Sequence, residues 1–293
     1  MEKRTLGKTG HKSTLITLGG ASIRQTTRGE SDEFIKYALD RGVNHIDVAP
    51  TYGGGTSECI LGEWVKEHRR DLFVACKTQK RTEKEAAVEL RKSLENLQTD
   101  FFDLYQLHGL DDPEELRISL SESGAMSAIL EAKEQGLIRY IGITSHNPVN
   151  IVKALESFEF DTVLLPVNYV LRAHSEPEND YEPVLSIAEK RNLGVIAMKL
   201  AAKGPWLTYE RAYNTWYQPF DTQMDVDESL RFTLSQYVTT AASSSDVRIA
   251  KMMIEAAERF TPMKEKERRE LLRKASSYKP LFPWGLSYLQ RSR

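Results

Sequence analysis

The run VNHIDVAPTYGGGTSE, residues 43–58, decides how this chain is read. A short apolar strand candidate, VNHIDV, places Asp47 near its end, and Tyr52 follows five residues later, ahead of a glycine run. Two further apolar runs downstream end on a polar residue: LFVACK on Lys77 and FFDLYQLH on His108. Strands of a parallel barrel deliver chemical groups in this way, one side chain from the C-terminal end of each strand.

Working outward, strand-like and helix-like segments alternate with a spacing of roughly thirty to forty residues, the pattern of βα units around a parallel sheet. The strand candidates are STLITL, VNHIDV, DLFVACK, FDLYQLH, IRYIGIT, DTVLLPV, LGVIAMK and QYVTTAA. Helix candidates lie between them. SDEFIKYALD is read as starting at Ser31, and TEKEAAVELRKSLENL opens with Thr82 and Glu85 in capping-box spacing. The others are TSECILGEWVKEHR, ESGAMSAILEAKEQG, NPVNIVKALESF, EPVLSIAEKRN, DESLRFTLSQ and DVRIAKMMIEAAERF. Eight strands each followed by a helix predict an α/β fold closed into a single (β/α)8 barrel. An open doubly wound sheet is the alternative, but the glycine-rich nucleotide turn it carries after the first strand is absent. No linker or low-complexity stretch interrupts the chain, so residues 1–293 are expected to form one domain. KRTLGKTGHKS, near the N-terminus, reads as a short hairpin covering the barrel floor. EKERRELLRKASSY reads as an extra C-terminal helix, and KPLFPWGLSYLQ as a tail across the barrel. Residues 200–226 make a long connection rich in aromatics; long loops in compact domains are usually functional. Those aromatics are read either as a small subdomain core or as a wall facing the substrate.

A length of 293 residues and a 40% hydrophobic fraction suit a barrel with a sizeable core. The net charge of −2 lacks the basic footprint of a nucleic-acid-binding protein. No apolar run approaches the ~20 residues needed to span a membrane, and no signal segment is read. Two cysteines, Cys59 and Cys76, are too few for a disulfide framework, so a cytoplasmic setting is expected.

Tyr52, Lys77, Asp47 and His108 at one rim form a proton-donating unit. A phenol of ordinary pKa near 10 gives up its proton poorly at neutral pH. A neighbouring ammonium favours the phenolate, an aspartate holds that ammonium in place, and a histidine hydrogen-bonds the substrate oxygen. Such a group is equipped to reduce a carbonyl. A metal site built from His45, Asp47 and His108 is disfavoured, because the lysine competes for the aspartate and repels the cation; no metal is expected, and His45 is read as a barrel histidine. Strand alternation turns Cys76 away from the lysine's face, leaving a buried inert thiol. His146 follows a strand end and is read equally as a loop residue or a contact to ligand. The charges of KEKERRELLRK alternate in sign and read as a solvated helix face.

These motifs together resemble the aldo-keto reductases over essentially the whole chain. GVNHIDVAPTYGGGTSECILGE is similar to the family segment carrying the catalytic aspartate and tyrosine, and SLENLQTDFFDLYQLHG to its Leu-x-x-Leu-x-x-Asp-x-x-Asp-Leu…His element. The resemblance implies an NADPH-dependent reductase of small aldehydes or ketones, with NADH a weaker cofactor. Tyr52 is then the proton donor, Lys77 and Asp47 its tuning pair, and His108 the residue that orients the carbonyl. It also implies cofactor contacts at Gly20, Asp47, Thr144, Ser145, Met198, Ser243, Ser245 and Arg248, the last beside the 2′-phosphate. Thr144 and Ser145 of YIGITSHN stand where the family places serine and asparagine; both offer a hydroxyl. Leu164 replaces the usual glutamine, Met198 an aromatic, Ala242 a lysine and Met252 an asparagine. The runner-up function is a cofactor-binding sensor with little turnover, a use of this fold by channel-associated subunits that resemble the family.

Overall fold

Two-residue alternation along each strand sorts side chains between the barrel axis and the surrounding helices, and the fold follows from that sorting. The computed structural model describes residues 1–282. An antiparallel hairpin, β1 (Lys3–Thr5) and β2 (Lys12–Thr14), precedes the barrel strands β3 (Ile16–Gly19), β4 (His45–Asp47), β5 (Phe73–Thr78), β6 (Phe102–Leu107), β7 (Ile138–Thr144), β8 (Thr162–Pro166) and β9 (Gly194–Met198). A two-stranded ribbon, β10 (Ala202–Gly204) with β11 (Gln218–Pro219), interrupts the series, and β12 (Thr240–Ala242) closes the parallel barrel between β9 and β3. The helices in chain order are α1 (Arg28–Asp40), α2 (Thr56–His68), α3 (Glu83–Asn96), α4 (Pro113–Ser119), α5 (Ala125–Glu134), α6 (Pro148–Ser157), α7 (Tyr169–Ala173), α8 (Glu182–Arg191), α9 (Gln223–Leu234), α10 (Val247–Glu258) and α11 (Glu265–Ala275). The expected (β/α)8 barrel, floor hairpin and extra C-terminal helix are all present. Most of the tail read from the sequence, residues 283–290, lies outside the described residues.

Inside the barrel Leu6, Phe73, Ala75, Leu104, Leu164 and Ile196 pack on one another. The alternate residues, among them Val74, Cys76, Tyr105 and Val163, join the larger core beneath the helices. Cys76 therefore faces away from the axis, as alternation requires, and burial pushes its thiol well above the ordinary range. No helix among the described residues is long and apolar enough to cross a membrane.

Local signals were misread in three places. The helix α1 begins at Arg28 rather than Ser31, because Thr27 is the cap: its hydroxyl accepts from Glu30 N–H, and the Glu30 carboxylate accepts from Thr27 N–H. The pair Thr82 and Glu85 does not close a capping box; the Thr82 hydroxyl instead donates to Glu85 at 2.7 Å. The run STLITL is divided at Leu15, its first half pairing in the hairpin and its second entering the barrel.

The hairpin closes the barrel's N-terminal end. Leu6 is fully buried, the Tyr140 hydroxyl donates to Thr9 O at 2.9 Å, and Lys8 N–H donates to Asn192 O at 2.9 Å. Gly7, at φ +49°, lies so close to the Gly194 backbone that no Cβ fits. His11 stacks on Phe73 at 4.4 Å, and His45 bonds Ser13 through Nδ1 at 2.8 Å. Burial lowers His11 from 6.5 to about 4 and holds His45 well below its ordinary value. Both are neutral in the fold at pH values where an unfolded chain binds protons, so their contribution is whole above about 6.5 and is lost as pH falls. We expect the urea midpoint to fall between pH 6.5 and 4, and the fall to be smaller in His11→Gln. An identical pH slope in the variant would rule His11 out as its source.

Candidate active site

The strands' C-terminal ends open into a cleft of about 720 Å³ lined by residues from several strands, among them Asp47, Tyr52, Lys77 and His108. Tyr52 is placed by a turn that favours glycine. Gly53, Gly54 and Gly55 have φ of +61°, +62° and +96°, left-handed values that cost L-residues about 1–2 kcal/mol each. A Cβ on Gly53 would also lie 2.9 Å from Arg24 O. The turn reverses the chain after Tyr52 and leads directly into α2.

Beneath the phenol lies a buried ionic network. Lys77, 1% exposed, donates through Nζ to Asp47 Oδ2 at 2.5 Å and to Val48 O at 3.1 Å. Asp47 Oδ1 accepts from Gln106 Nε2 at 2.9 Å. The Lys77 ammonium stands 5.3 Å from the centre of the Tyr52 ring, and the His108 ring meets Tyr52 edge-on at 6.0 Å. The four residues read from the sequence are thus brought together. Burial pulls the Lys77 pKa down, but Asp47 and Tyr52 outweigh it and raise it overall. Burial raises the Tyr52 pKa, and Lys77 opposes this without cancelling it. The lysine acts in the expected direction, while the net shift is upward, leaving the phenol protonated at neutral pH. Burial, then Lys77, holds His108 well below its ordinary value, so its imidazole is neutral.

The positions read as cofactor contacts divide into two groups. Thr144, Met198, Ser243 and Ser245 line the cleft with Asp47. Ser243 Oγ accepts from Gly19 N–H at 2.9 Å. Gly20 is turned toward the core: a Cβ there would meet Val48 and Leu61, and its neighbours Gly19 and Ala21 line the cleft instead. Ser145 Oγ, fully buried, donates to Leu110 O and the Asp111 carboxylate. Arg248 is held by Asp246 at 2.9 Å and by Ala212 O at 2.6 Å, and covers the Tyr213 ring at 4.4 Å. His45 sits at the floor, and among the described residues it forms no metal-binding group with Asp47 and His108.

Sequence reasoning missed Gln106, two residues before His108 and on the same strand face. It also passed over Lys199, although VIAMK ends in a lysine just as LFVACK does. Lys199, at φ +57°, donates through Nζ to His146 Nε2 at 2.9 Å. The His146 Nδ1 lies 2.8 Å from Asp111 Oδ2; the carboxylate requires N–H there, which leaves Nε2 as the acceptor. Trp216 packs edge-on against His146, with ring centres 6.2 Å apart, and lines the cleft with Tyr217. Phe220 instead stacks on Tyr169 in a separate core. The 200–226 aromatics thus divide, Trp216 and Tyr217 lining the cleft and Phe220 packing against α7 and α9.

A profile of the Aldo/keto reductase family matches residues 15–278. An uncharacterized oxidoreductase, YqkF of Bacillus subtilis, is 29% identical over 221 residues, covering 70% of this chain and 66% of that protein, just under two-thirds of its length. Aldo-keto reductase AKR11C1 from Bacillus halodurans, in its holo form, superposes with a TM-score of 0.74 at 23% identity over 97% of this chain and 98% of that one. An aldo-keto reductase of Bombyx mori in complex with NADP superposes at 0.69 with 17% identity, over 93% of each chain. The barrel, its rim chemistry and a family match over nearly the full length lead to one assignment: the chain belongs to the aldo/keto reductase family.

Proposed function

We propose that this protein reduces aldehyde or ketone carbonyls to alcohols with NADPH, Tyr52 donating the proton. The observation that carries the reading is the buried Gln106–Asp47–Lys77 network beneath the Tyr52 ring, beside a neutral His108 facing the same cleft. The Bombyx mori relative's complex with NADP supports the cofactor class. The cleft suits such a group: His108 lines it with a buried Nδ1 that has no hydrogen-bond partner among the described residues, and serine hydroxyls line its far side. Thr144, Met198, Ser243 and Ser245 would hold the cofactor, with Gly20 and Ser145 supporting the surrounding backbone. The bound cofactor supplies a hydride to the carbonyl carbon.

The chain's own residues supply the rest. His108 hydrogen-bonds the carbonyl oxygen, and the Tyr52 hydroxyl gives that oxygen its proton. The phenolate left behind is stabilised by Lys77, whose ammonium Asp47 holds in place; reprotonation from solvent resets the site. Residues 1–293 as one domain, and a cytoplasmic setting, belong to the same proposal. Turnover with NADPH and a panel of aldehydes and ketones tests it. Oxidation of the cofactor well above a Tyr52→Phe control is the expected result. Cofactor binding with no carbonyl-dependent oxidation would replace the reductase by a sensor.

Arg248 supplies a separate prediction. A charge-assisted hydrogen bond to the 2′-phosphate is worth about 1.5–3 kcal/mol. Asp246 already shares that guanidinium, so the lower end is expected: NADPH binding about ten-fold tighter than NADH. Arg248→Ala should weaken NADPH binding by that factor and leave NADH nearly untouched. Equal losses in a fluorescence titration would make Arg248 a brace for Asp246.

A further inference from the structure

The rim beside His108 carries a second polar unit that proton donation to the carbonyl does not use. Asp111 lies three residues beyond His108. It accepts from Ser145 Oγ and from His146 N–H, and its contact with His146 Nδ1 fixes that ring. Through His146 Nε2 the ring then fixes the Lys199 ammonium. Lys199 lines the cleft and is only partly exposed, with the Trp216 ring 5.3 Å away. Its other contact is the Met198 sulfur at 3.2 Å, a weak acceptor. Three chain segments thus hold one ammonium at the mouth, and among the described residues it has no carboxylate partner. Its third proton is uncommitted.

A desolvated cation without an anion is unfavourable until a ligand brings one. The unit stands in the sector formed by the ends of β6, β7 and β9. Ser243 and Ser245, read above as cofactor contacts, follow β12. We propose that Lys199 is the specificity-determining residue of the cleft, receiving the carboxylate of a carboxylate-bearing aldehyde or ketone, with His146 and Asp111 as its positioning residues. The inference rests on the reductase reading above and names its substrate class.

The charges facing Lys199 agree with this. Burial, reinforced by Lys77 and Arg24 and opposed by Asp111, brings its pKa down to about 7. His146 reaches it from the loop after β7, and burial keeps that ring below its ordinary pKa. A bound carboxylate favours the ammonium, so affinity for an anionic substrate is highest below about pH 7 and declines above it.

The test compares 4-carboxybenzaldehyde with its uncharged methyl ester. Wild-type protein at pH 6.5 should favour the carboxylate. Lys199→Met should lower kcat/KM for the carboxylate about ten- to a hundred-fold more than for the ester, through KM. Lys199→Arg should keep the preference and lose the rise in KM above pH 7, since a guanidinium stays charged. Equal losses for both aldehydes overturn the inference. So does a fall in NADPH affinity that carries both aldehydes down together, which would assign Lys199 to the cofactor. If wild-type protein reduces neither aldehyde above Tyr52→Phe, the reductase reading fails. Calorimetric titration of both into the NADP⁺-loaded protein then decides: a carboxylate preference abolished by Lys199→Met sustains the inference, and equal affinities end it.

Discussion

Tyr52→Phe is expected to lower carbonyl reduction by about 10²–10⁴-fold, the usual contribution of a positioned general acid, while NADPH binding changes little. The prediction is sharp because the substitution removes one oxygen and keeps the ring. That ring packs edge-on against His108 and lies within 5.3 Å of the Lys77 ammonium, so the cleft keeps its walls. Stopped-flow turnover alongside fluorescence titration of cofactor separates the two quantities. Near wild-type turnover in the variant would remove Tyr52 from the chemistry; a parallel loss of cofactor affinity would make it a binding residue.

Lys77→Met carries the other large effect, and it divides between stability and rate. Lys77 and Asp47 are 1% and 3% exposed, and breaking a buried pair by removing one partner costs about 3–5 kcal/mol. The variant should therefore melt well below wild type. Adding Asp47→Asn removes the orphaned charge and should restore much of that stability, since Gln106 still has an oxygen to bond. Turnover should not return. Lys77 opposes the upward pull of burial on the Tyr52 phenol, so its loss moves the phenol further up. Alcohol oxidation needs the phenolate and rises with pH through that pKa, so its ascending limb should shift alkaline, each unit being a tenfold loss at fixed pH. A double variant that is stable and active, or an unmoved limb, would show that Lys77 is a packing residue only.

The barrel and the polar group at its rim were legible for one reason: strand alternation is a strict two-residue rule, and a polar residue closing an apolar run stands out against it. The same rule turned Cys76 outward. Helix starts were less legible because several residues compete for the cap. Ser31 is as good a candidate as Thr27 until the Glu30 carboxylate is seen to close the box. The short helices α4 and α7 went unread, although Asp112 and Asn168 cap them; each offers too few turns for a period to show. Gly20 and Ser145 sit in the right motifs, but their side positions point into the core and into the Asp111 network. A motif fixes the segment, and backbone direction then decides which atoms reach the cleft. The Asp111–His146–Lys199 unit was invisible for a further reason: its members come from three loops, brought together only by the side-by-side pairing of β6 to β9.

The floor hairpin bears on how the chain assembles as it is made. Residues 3–14 leave the ribosome before the surfaces they seal. Phe73 and Tyr140 receive His11 and Thr9, and the Asn192–Gly194 segment receives Lys8 and Gly7. The apolar seat of Leu6 is complete only when Leu164 and Ile196 join Phe73, Ala75 and Leu104 in the wall. Ile196 emerges about 190 residues after Leu6, and such distant pairings form slowly. Until then residues 3–14 stay undocked and partly apolar, the kind of exposed surface that chaperones shield.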